Sequence, residues 1–218
     1  PDGALWVGTA TGLFRILDGT TSAVAPTSRA LNFDILDNIV SQPSGGQLVV
    51  SQDAVWNLSQ TPSGEWRASA YFDAAQIASH RDLVNVSRLR VARDGSLWLS
   101  CRRALCHWHD GRLDVLDGPP AAAGGWNGLF EDRDGNLWVR DSTRILVLPR
   151  GGKSLIDRTP MGELHSSSLF VTAFAQDAAG RILTPAGRGL VRWDGRAWTR
   201  FDQASGLVSS FGVTTLFV

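Results

Sequence analysis

The 218-residue sequence has two cysteines, one methionine, one tyrosine and no net charge. Its 21 basic and 21 acidic side chains do not form the basic surface expected of a protein that binds nucleic acid or an anionic membrane. No apolar run approaches the roughly 20 residues that a transmembrane helix requires. No signal peptide precedes Pro1-Asp2-Gly3, which reads as part of a turn, so we expect the sequence to begin inside a longer protein. We predict no nucleic-acid partner and no membrane insertion by this segment.

The few cysteines argue against a disulfide-rich or metal-bound scaffold. Cys101 and Cys106 are five residues apart, which is not a usual zinc-ligand spacing. If a turn joins their strands, they approach each other across a hairpin, and a disulfide would suit an oxidising compartment. Cross-strand diagonals often miss disulfide geometry, so two buried free thiols are the favoured alternative.

Tryptophan and glycine are abundant, with nine and 23 copies, which is typical of short strands joined by tight turns. One sequence pattern recurs, consisting of a turn, a tryptophan between aliphatic residues, a short polar segment and a second apolar run. Five copies can be anchored on a glycine that lies two residues before a leucine or isoleucine. The anchors are Gly3, Gly46, Gly95, Gly135 and Gly180, at spacings of 43, 49, 40 and 45 residues. The second apolar runs begin at Leu13, Val55, Leu105, Ile145 and Leu190, nine or ten residues after each anchor.

Each copy predicts four short strands. An alternating apolar run precedes the anchor, the "LWV"-type and "GLFRI"-type strands follow it, and a weaker strand with one polar face comes last. Four antiparallel strands repeating every 40 to 49 residues are typical of a β-propeller blade. The apolar period of two excludes a helical repeat. We therefore predict an all-β propeller with five four-stranded units in one domain, residues 1–218, and no helix longer than a turn or two.

The repeat also predicts the role of the strand tryptophans and the place of the last residues in a blade. The tryptophans Trp6, Trp98 and Trp138 are expected to pack between neighbouring blades and not to bind a ligand. The second copy has lost both the turn aspartate and the strand tryptophan. The last residues, Ser209 to Val218, match the first strand of a unit. They either complete the blade begun by the first residues, closing a five-bladed ring, or belong to a propeller of about seven blades. We expect the protein to continue past Val218.

Two stretches, "GLVSSFGVTTLFV" from Gly206 and "DGALWVGTATGLFR" from Asp2, resemble the two-component regulator propeller repeat. In that family a Gly-Leu-Pro-Ser-type loop leads into the first strand, followed by an Asp-Gly turn and a Leu-Trp-Val-Gly-Thr strand. The first copy keeps Gly8 and Thr9 of this strand, whereas the third and fourth copies have other residues at that pair. Val208 stands where the family has the proline of the loop. The resemblance extends over all five copies.

This resemblance implies a periplasmic sensor domain of a bacterial inner-membrane receptor. Such receptors continue into a β-sandwich, one transmembrane helix and a cytoplasmic histidine kinase or diguanylate cyclase. The implied partners are an unidentified small molecule or oligosaccharide, the downstream domains of the same receptor, and a second copy in a homodimer. We expect the domain to be non-enzymatic, with ligand binding shifting the receptor between two dimer arrangements.

No motif predicts a catalytic centre, a metal or a cofactor. His107 and His109 project to one face of a strand, but no third ligand is evident, so a solvated strand is favoured over a metal site. Asp132 and Asp134 lie at a hairpin turn and lack the further oxygen donors of a calcium loop. The sequence "GGK" at Gly151 predicts a turn and not a phosphate-binding loop.

Two alternatives remain beside the sensor. A propeller lectin would show one similar pocket per blade, whereas the loops before the first strands differ from copy to copy. A propeller lyase or hydrolase would need convergent acid and base groups, and Asp34, His80 and His165 keep that open.

These variable loops are the predicted binding surface, because loop residues beyond the needs of a turn are better functional candidates than repeated packing residues. Trp126 follows the flexible "AAAGG" lead-in and is not the repeated packing tryptophan. Its alternative role is to cap the apolar end of its blade. The predicted ligand-binding residues are Arg29, Asn32, Asp34, His80, Arg81, Trp126, Asn127 and His165.

Overall fold

The computed structural model describes residues 3–9, 12–24, 36–43, 45–51, 54–122, 124–162, 164, 173–187 and 189–207. Nineteen β-strands lie within these ranges, and they form five antiparallel sheets whose neighbouring strands are consecutive in the chain. This confirms the predicted all-β propeller architecture. The only α-helix in the described ranges, α1 (Ala74–Ser79), has six residues, which agrees with the expected scarcity of helix. No helix in these ranges is long and apolar enough to cross a bilayer.

The five sheets, numbered I to V along the chain, follow the five sequence copies. Sheet I contains β1 (Leu5–Thr9), β2 (Gly12–Leu17) and β3 (Thr20–Val24); sheet II contains β4 (Leu36–Ser41), β5 (Gln47–Ser51), β6 (Ala54–Gln60) and β7 (Trp66–Ala70); sheet III contains β8 (Val86–Val91), β9 (Leu97–Cys101), β10 (Ala104–His109) and β11 (Arg112–Val115). Sheet IV contains β12 (Gly128–Glu131), β13 (Leu137–Arg140), β14 (Ile145–Leu148) and β15 (Ile156–Asp157); sheet V contains β16 (Ala175–Gln176), β17 (Ile182–Ala186), β18 (Gly189–Trp193) and β19 (Trp198–Phe201).

The turn between the first two strands of a sheet explains why glycine recurs. In sheet III the Gly95 amide donates to the Ala92 carbonyl at 2.9 Å, and the Ala92 amide donates to Ser96 at 2.8 Å. Gly95 has a φ of +85°, a left-handed conformation that glycine adopts without steric cost. Sheets IV and V repeat these bonds with Gly135 and Gly180.

Sheet II uses the same turn one residue earlier than the sequence anchor predicted. The Gly45 amide donates to the Gln42 carbonyl at 3.0 Å, and the Gln42 amide donates to Gly46 at 3.2 Å. Gly45 is therefore the equivalent of Gly95, and the anchor at Gly46 is wrong by one position. The correction brings Val55 to the ten-residue offset of the other four copies. It also places Leu48 where the other sheets have a strand tryptophan or, in sheet V, Leu183.

The hairpins that lead to the last strands of sheets I and III use the predicted Asp-Gly pairs. Asp18 and Gly19 have φ values of 49° and 74°, and Asp110 and Gly111 have φ values of 48° and 74°. Two consecutive positive φ angles define a type I′ turn, whose twist matches that of the flanking strands.

Two compact units can be distinguished, and each has its own core. The first contains residues 1–102 and 106–114, and the second contains 103–105 and 115–218. In the first, Leu13 and Val24 of sheet I pack with Val49 and Leu58 of sheet II. In the second, Trp138 of sheet IV packs with apolar residues of sheet V. The extent of the propeller as a single 1–218 domain stays a prediction.

The strand tryptophans mostly pack between sheets, as expected. The Trp6 ring meets Trp66 of sheet II edge to face, with centroids 4.7 Å apart. Trp138 meets Trp198 of sheet V at 6.4 Å and donates its indole N–H to Asp132 at 2.8 Å. Trp98 differs, because its ring stacks on His107 of its own sheet at 3.9 Å.

Candidate functional site

The loop before β8 contains two of the predicted ligand-binding residues. Its helix α1 begins with a capping box, in which Asp73 accepts from the Gln76 amide at 2.7 Å and Gln76 accepts from the Asp73 amide at 2.9 Å. His80 ends the helix, and its ring meets the edge of Trp108 with centroids 5.9 Å apart. Arg81 follows as the exposed first residue of a 3-10 turn, Arg81–Val84. The loop therefore holds His80 against the sheet and leaves Arg81 at the surface.

The loop before β12 contains two more predicted residues, Trp126 and Asn127. The Trp126 side chain is only 1% exposed. The Arg144 guanidinium lies 5.7 Å from the centre of its ring and also bonds the Pro120 carbonyl at 2.5 Å. This burial is what the capping role requires, whereas the role of Trp126 in ligand contact stays a prediction.

Asp141 organises the same loop. Its side chain accepts hydrogen bonds from the amides of Ala122, Thr143 and Arg144, each at 2.8 Å, and forms an ion pair with the Arg144 guanidinium at 3.1 Å. Burial opposes ionisation of Asp141, but these hydrogen bonds outweigh burial and lower the pKa of its carboxyl. The loop is thus held by a charged, fully bonded aspartate.

A buried cation, which no sequence pattern indicated, lies beside Asn127. Arg140 is 0% exposed, and its Nη1 donates to the Thr184 hydroxyl at 2.5 Å and to the Pro185 carbonyl at 2.7 Å. Burial lowers its pKa to about 10, against the opposing effect of Asp141, so it remains protonated at neutral pH. The Asn127 amide donates to the Arg140 carbonyl at 3.0 Å. Within the described residues, neither Arg140 Nε nor Asn127 Oδ1 has a hydrogen-bond partner.

The other four predicted residues, Arg29, Asn32, Asp34 and His165, lie outside the described residues. The structure therefore places His80 with Arg81 in one loop of the first unit, and Trp126 with Asn127 in one loop of the second. Ligand binding by all eight residues stays a prediction.

His107 and His109 form a titrating pair in the first unit. His107 Nε2 bonds the Ser96 hydroxyl at 2.8 Å, and His109 Nε2 bonds Asp114 at 2.8 Å. Burial and the neighbouring His109 lower the pKa of His107, whereas the hydrogen bond to Asp114 raises the pKa of His109. Over the part of the chain that the structure describes, no group of three or more acidic, histidine or cysteine side chains could hold a metal ion.

Cys101 and Cys106 are both buried and carry free thiols. A hydrogen bond with Cys106, together with burial, raises the pKa of the Cys101 thiol. A raised pKa removes the reactive thiolate of Cys101, so this thiol has the chemistry of an inert core residue.

No family model matches the chain, and no curated protein matches it in sequence. Solved structures with the same fold do exist. Virginiamycin B lyase from Staphylococcus aureus is 15% identical with a TM-score of 0.64, over 92% of this chain and 67% of the lyase. The extracellular domain of BT3049, a hybrid two-component system of B. thetaiotaomicron, is 19% identical with a TM-score of 0.63. That match covers 88% of this chain and 26% of BT3049.

A third structure with this fold is PorZ, a surface component of the type-IX secretion system of Porphyromonas gingivalis. It is 17% identical with a TM-score of 0.63, over 96% of this chain and 34% of PorZ. At identities this low, the structural similarity establishes a shared propeller-type fold but does not establish a shared activity. The chain spans about two thirds of the lyase and only a quarter to a third of the other two proteins.

These comparisons correct one expectation from the sequence. We expected the domain not to be an enzyme, and this statement is contradicted, because proteins that share its fold include an enzyme, virginiamycin B lyase. The expectation rested on the resemblance to a sensor family and on the absence of a local catalytic motif. Propellers assemble their sites from several loops that are distant in sequence.

Proposed function

We propose that the chain is a ligand-sensing segment of a bacterial two-component receptor of the regulator-propeller type, located on the periplasmic side of the inner membrane. The observation that carries this proposal is the likeness to the BT3049 extracellular domain, which extends over 88% of the chain. The repeat resemblance read from the sequence supports the same assignment. The ligand is a small molecule or an oligosaccharide, and the downstream domains of the same receptor carry the output.

Ligand binding would act through the variable loops. A ligand shifts a receptor only if it binds one of two conformational states more tightly than the other. In the loop before β8, Arg81 is exposed and His80 rests on Trp108, so a ligand bound by Arg81 can also change the packing of His80. In the loop before β12, Asn127 lies beside the buried cation Arg140. Such contacts couple a surface event to the sheet beneath it.

The test uses the full-length receptor with a transcriptional reporter. We expect Arg81→Ala to reduce ligand-dependent output while leaving the melting temperature unchanged. Arg112→Ala, an exposed arginine on β11, is the matched control and should behave as wild type. If both variants respond fully to ligand, the loop before β8 does not bind it and the site assignment is wrong.

The three lyase structures favour a second candidate function, a lyase activity. One of them is an inactive variant in which a histidine is replaced by alanine, bound to quinupristin, so that lyase depends on a histidine. In this chain His80 is the described loop histidine that would act as a base. Incubation with quinupristin followed by mass spectrometry tests this. Product formation that is lost in His80→Ala would support the lyase function, and the absence of product would argue against this substrate.

A further inference from the structure

An open groove lies along sheet II. Its volume is about 490 Å³, within the range of small-molecule sites. Six side chains line it, namely Gln42, Asn57, Ser59, Gln60, Trp66 and Tyr71. None is charged at neutral pH. Only the Tyr71 phenol can ionise, and burial raises its pKa further above neutral pH. The groove is therefore neutral, polar and partly aromatic.

Sheet II departs from the repeat at a position that lines the groove. Position 46 corresponds to Ala4, Ser96, Asn136 and Arg181 in the other copies, and only here is it a glycine. In sheet III, Ser96 at this position bonds His107, and in sheet IV, Asn136 accepts a bond from the Arg150 amide at 3.1 Å. A Cβ on Gly46 would lie 2.9 Å from the Leu58 carbonyl oxygen, closer than real Cβ atoms approach, and 3.6 Å from Gln42 Nε2 and 4.0 Å from Asn57 Oδ1. The missing side chain thus leaves the Gln42–Asn57 amide pair open.

That amide pair retains hydrogen-bonding capacity. Gln42 Nε2 donates to Asn57 Oδ1 at 2.8 Å, which orients both amides. Gln42 Oε1 remains as an acceptor and Asn57 Nδ2 as a donor, and neither has another partner within the described part of the chain. The same holds for the hydroxyls of Ser59 and Tyr71. The groove thus combines oriented donors and acceptors with two aromatic rings.

We propose that this groove binds a neutral saccharide of one or two rings. Each sugar hydroxyl both donates and accepts a hydrogen bond, which matches amides and hydroxyls, while the apolar face of a sugar ring can lie on Trp66 or Tyr71. A carboxylate or phosphate ligand would meet no cation here, and an apolar ligand would leave the amides buried without partners. This site rests on the ligand-binding role proposed above but uses none of the eight loop residues.

The test measures binding by isothermal titration and by NMR of the side-chain amides. The probes are cellobiose, maltose and lactose, with glucuronic acid as a charged sugar and tetraglycine as a neutral peptide. We expect one of the disaccharides to bind and to shift the amide signals of Asn57 and Gln42. Asn57→Ala should weaken binding about tenfold, the effect of losing one good hydrogen bond, and Ser59→Ala should weaken it a few-fold. Ser22→Ala, an exposed serine on β3, should leave binding unchanged.

Several outcomes would overturn the proposal. They are no binding of any disaccharide at about 10 mM, equal binding by wild type and Asn57→Ala, or binding of tetraglycine or glucuronic acid alone. Ser59→Ala is an exposed change and keeps the test valid if Asn57→Ala fails to fold. If Arg81→Ala abolishes disaccharide binding and Asn57→Ala does not, the loop site stands and the groove proposal fails. If only the groove variants weaken binding, the groove stands independently of the loop site.

Discussion

Replacing Trp126 by alanine separates the two roles considered for this residue. The side chain is 1% exposed, and truncating a buried tryptophan costs about 3–5 kcal/mol of unfolding free energy. For a protein of this size, roughly 2–4 °C of melting temperature is lost per kcal/mol, so we expect a decrease of about 6–20 °C. Thermal denaturation followed by circular dichroism measures it. Met161→Ala is the control, since that side chain is 94% exposed and its loss should change stability by no more than about 0.5 kcal/mol.

A double-mutant cycle with Arg144→Ala gives the part of this loss that comes from the guanidinium above the ring. The 5.7 Å distance is within cation–π range, so we expect a coupling energy of about 0.5–2 kcal/mol. A loss of less than about 1 kcal/mol for Trp126→Ala, far below the range for a buried aromatic residue, would refute the packing argument. Combined with loss of ligand-dependent output, that result would favour the ligand-contact role.

Two further predictions concern single side chains. Asp132→Ala should lower the unfolding free energy by about 1–3 kcal/mol in urea denaturation, because it leaves the buried Trp138 indole N–H without an acceptor. The exposed neighbour Asp134→Ala should be near neutral, and equal effects of the two would contradict this. In NMR titrations His107 should titrate below the ordinary value of 6.5 and His109 above it. The fold favours neutral His107, so the contribution of His107 to stability is present above pH 6.5 and is lost as the pH falls through its lowered pKa. Because His109 helps to lower the pKa of His107, His109→Ala should raise it. The reverse order of titration would show that the environment of the pair is misread.

The repeat was predictable from sequence because backbone geometry enforces it. A left-handed turn residue followed by an apolar strand restricts which amino acids fit, so Gly95, Gly135 and Gly180 recur. The single misplacement, at Gly46, occurred where two adjacent glycines both have positive φ and composition alone cannot distinguish them. The helix α1 was not predicted as such, although its Asp73–Gln76 capping box is a recognisable local signal.

The candidate sites were less predictable, because they depend on contacts between residues far apart in sequence. Nothing around Arg140 indicates that its guanidinium is buried against Thr184 of the next sheet, 44 residues away. Burial of Trp126 likewise depends on Arg144 and on a loop held by Asp141. The groove on sheet II could have been suspected, since it lies where a copy departs from the pattern of the others.

The connection of every sheet from consecutive strands has a consequence for synthesis and folding. Within a sheet each backbone pairing closes only a short loop, and short loops cost little conformational entropy. Such local topologies fold faster than those that depend on distant pairings. A sheet such as IV, from Gly128 to Asp157, can therefore form its hydrogen bonds soon after it leaves the ribosome, before the residues that follow it have emerged. Apolar residues on the face that packs against sheet V, Trp138 among them, would then stay exposed to solvent until sheet V forms.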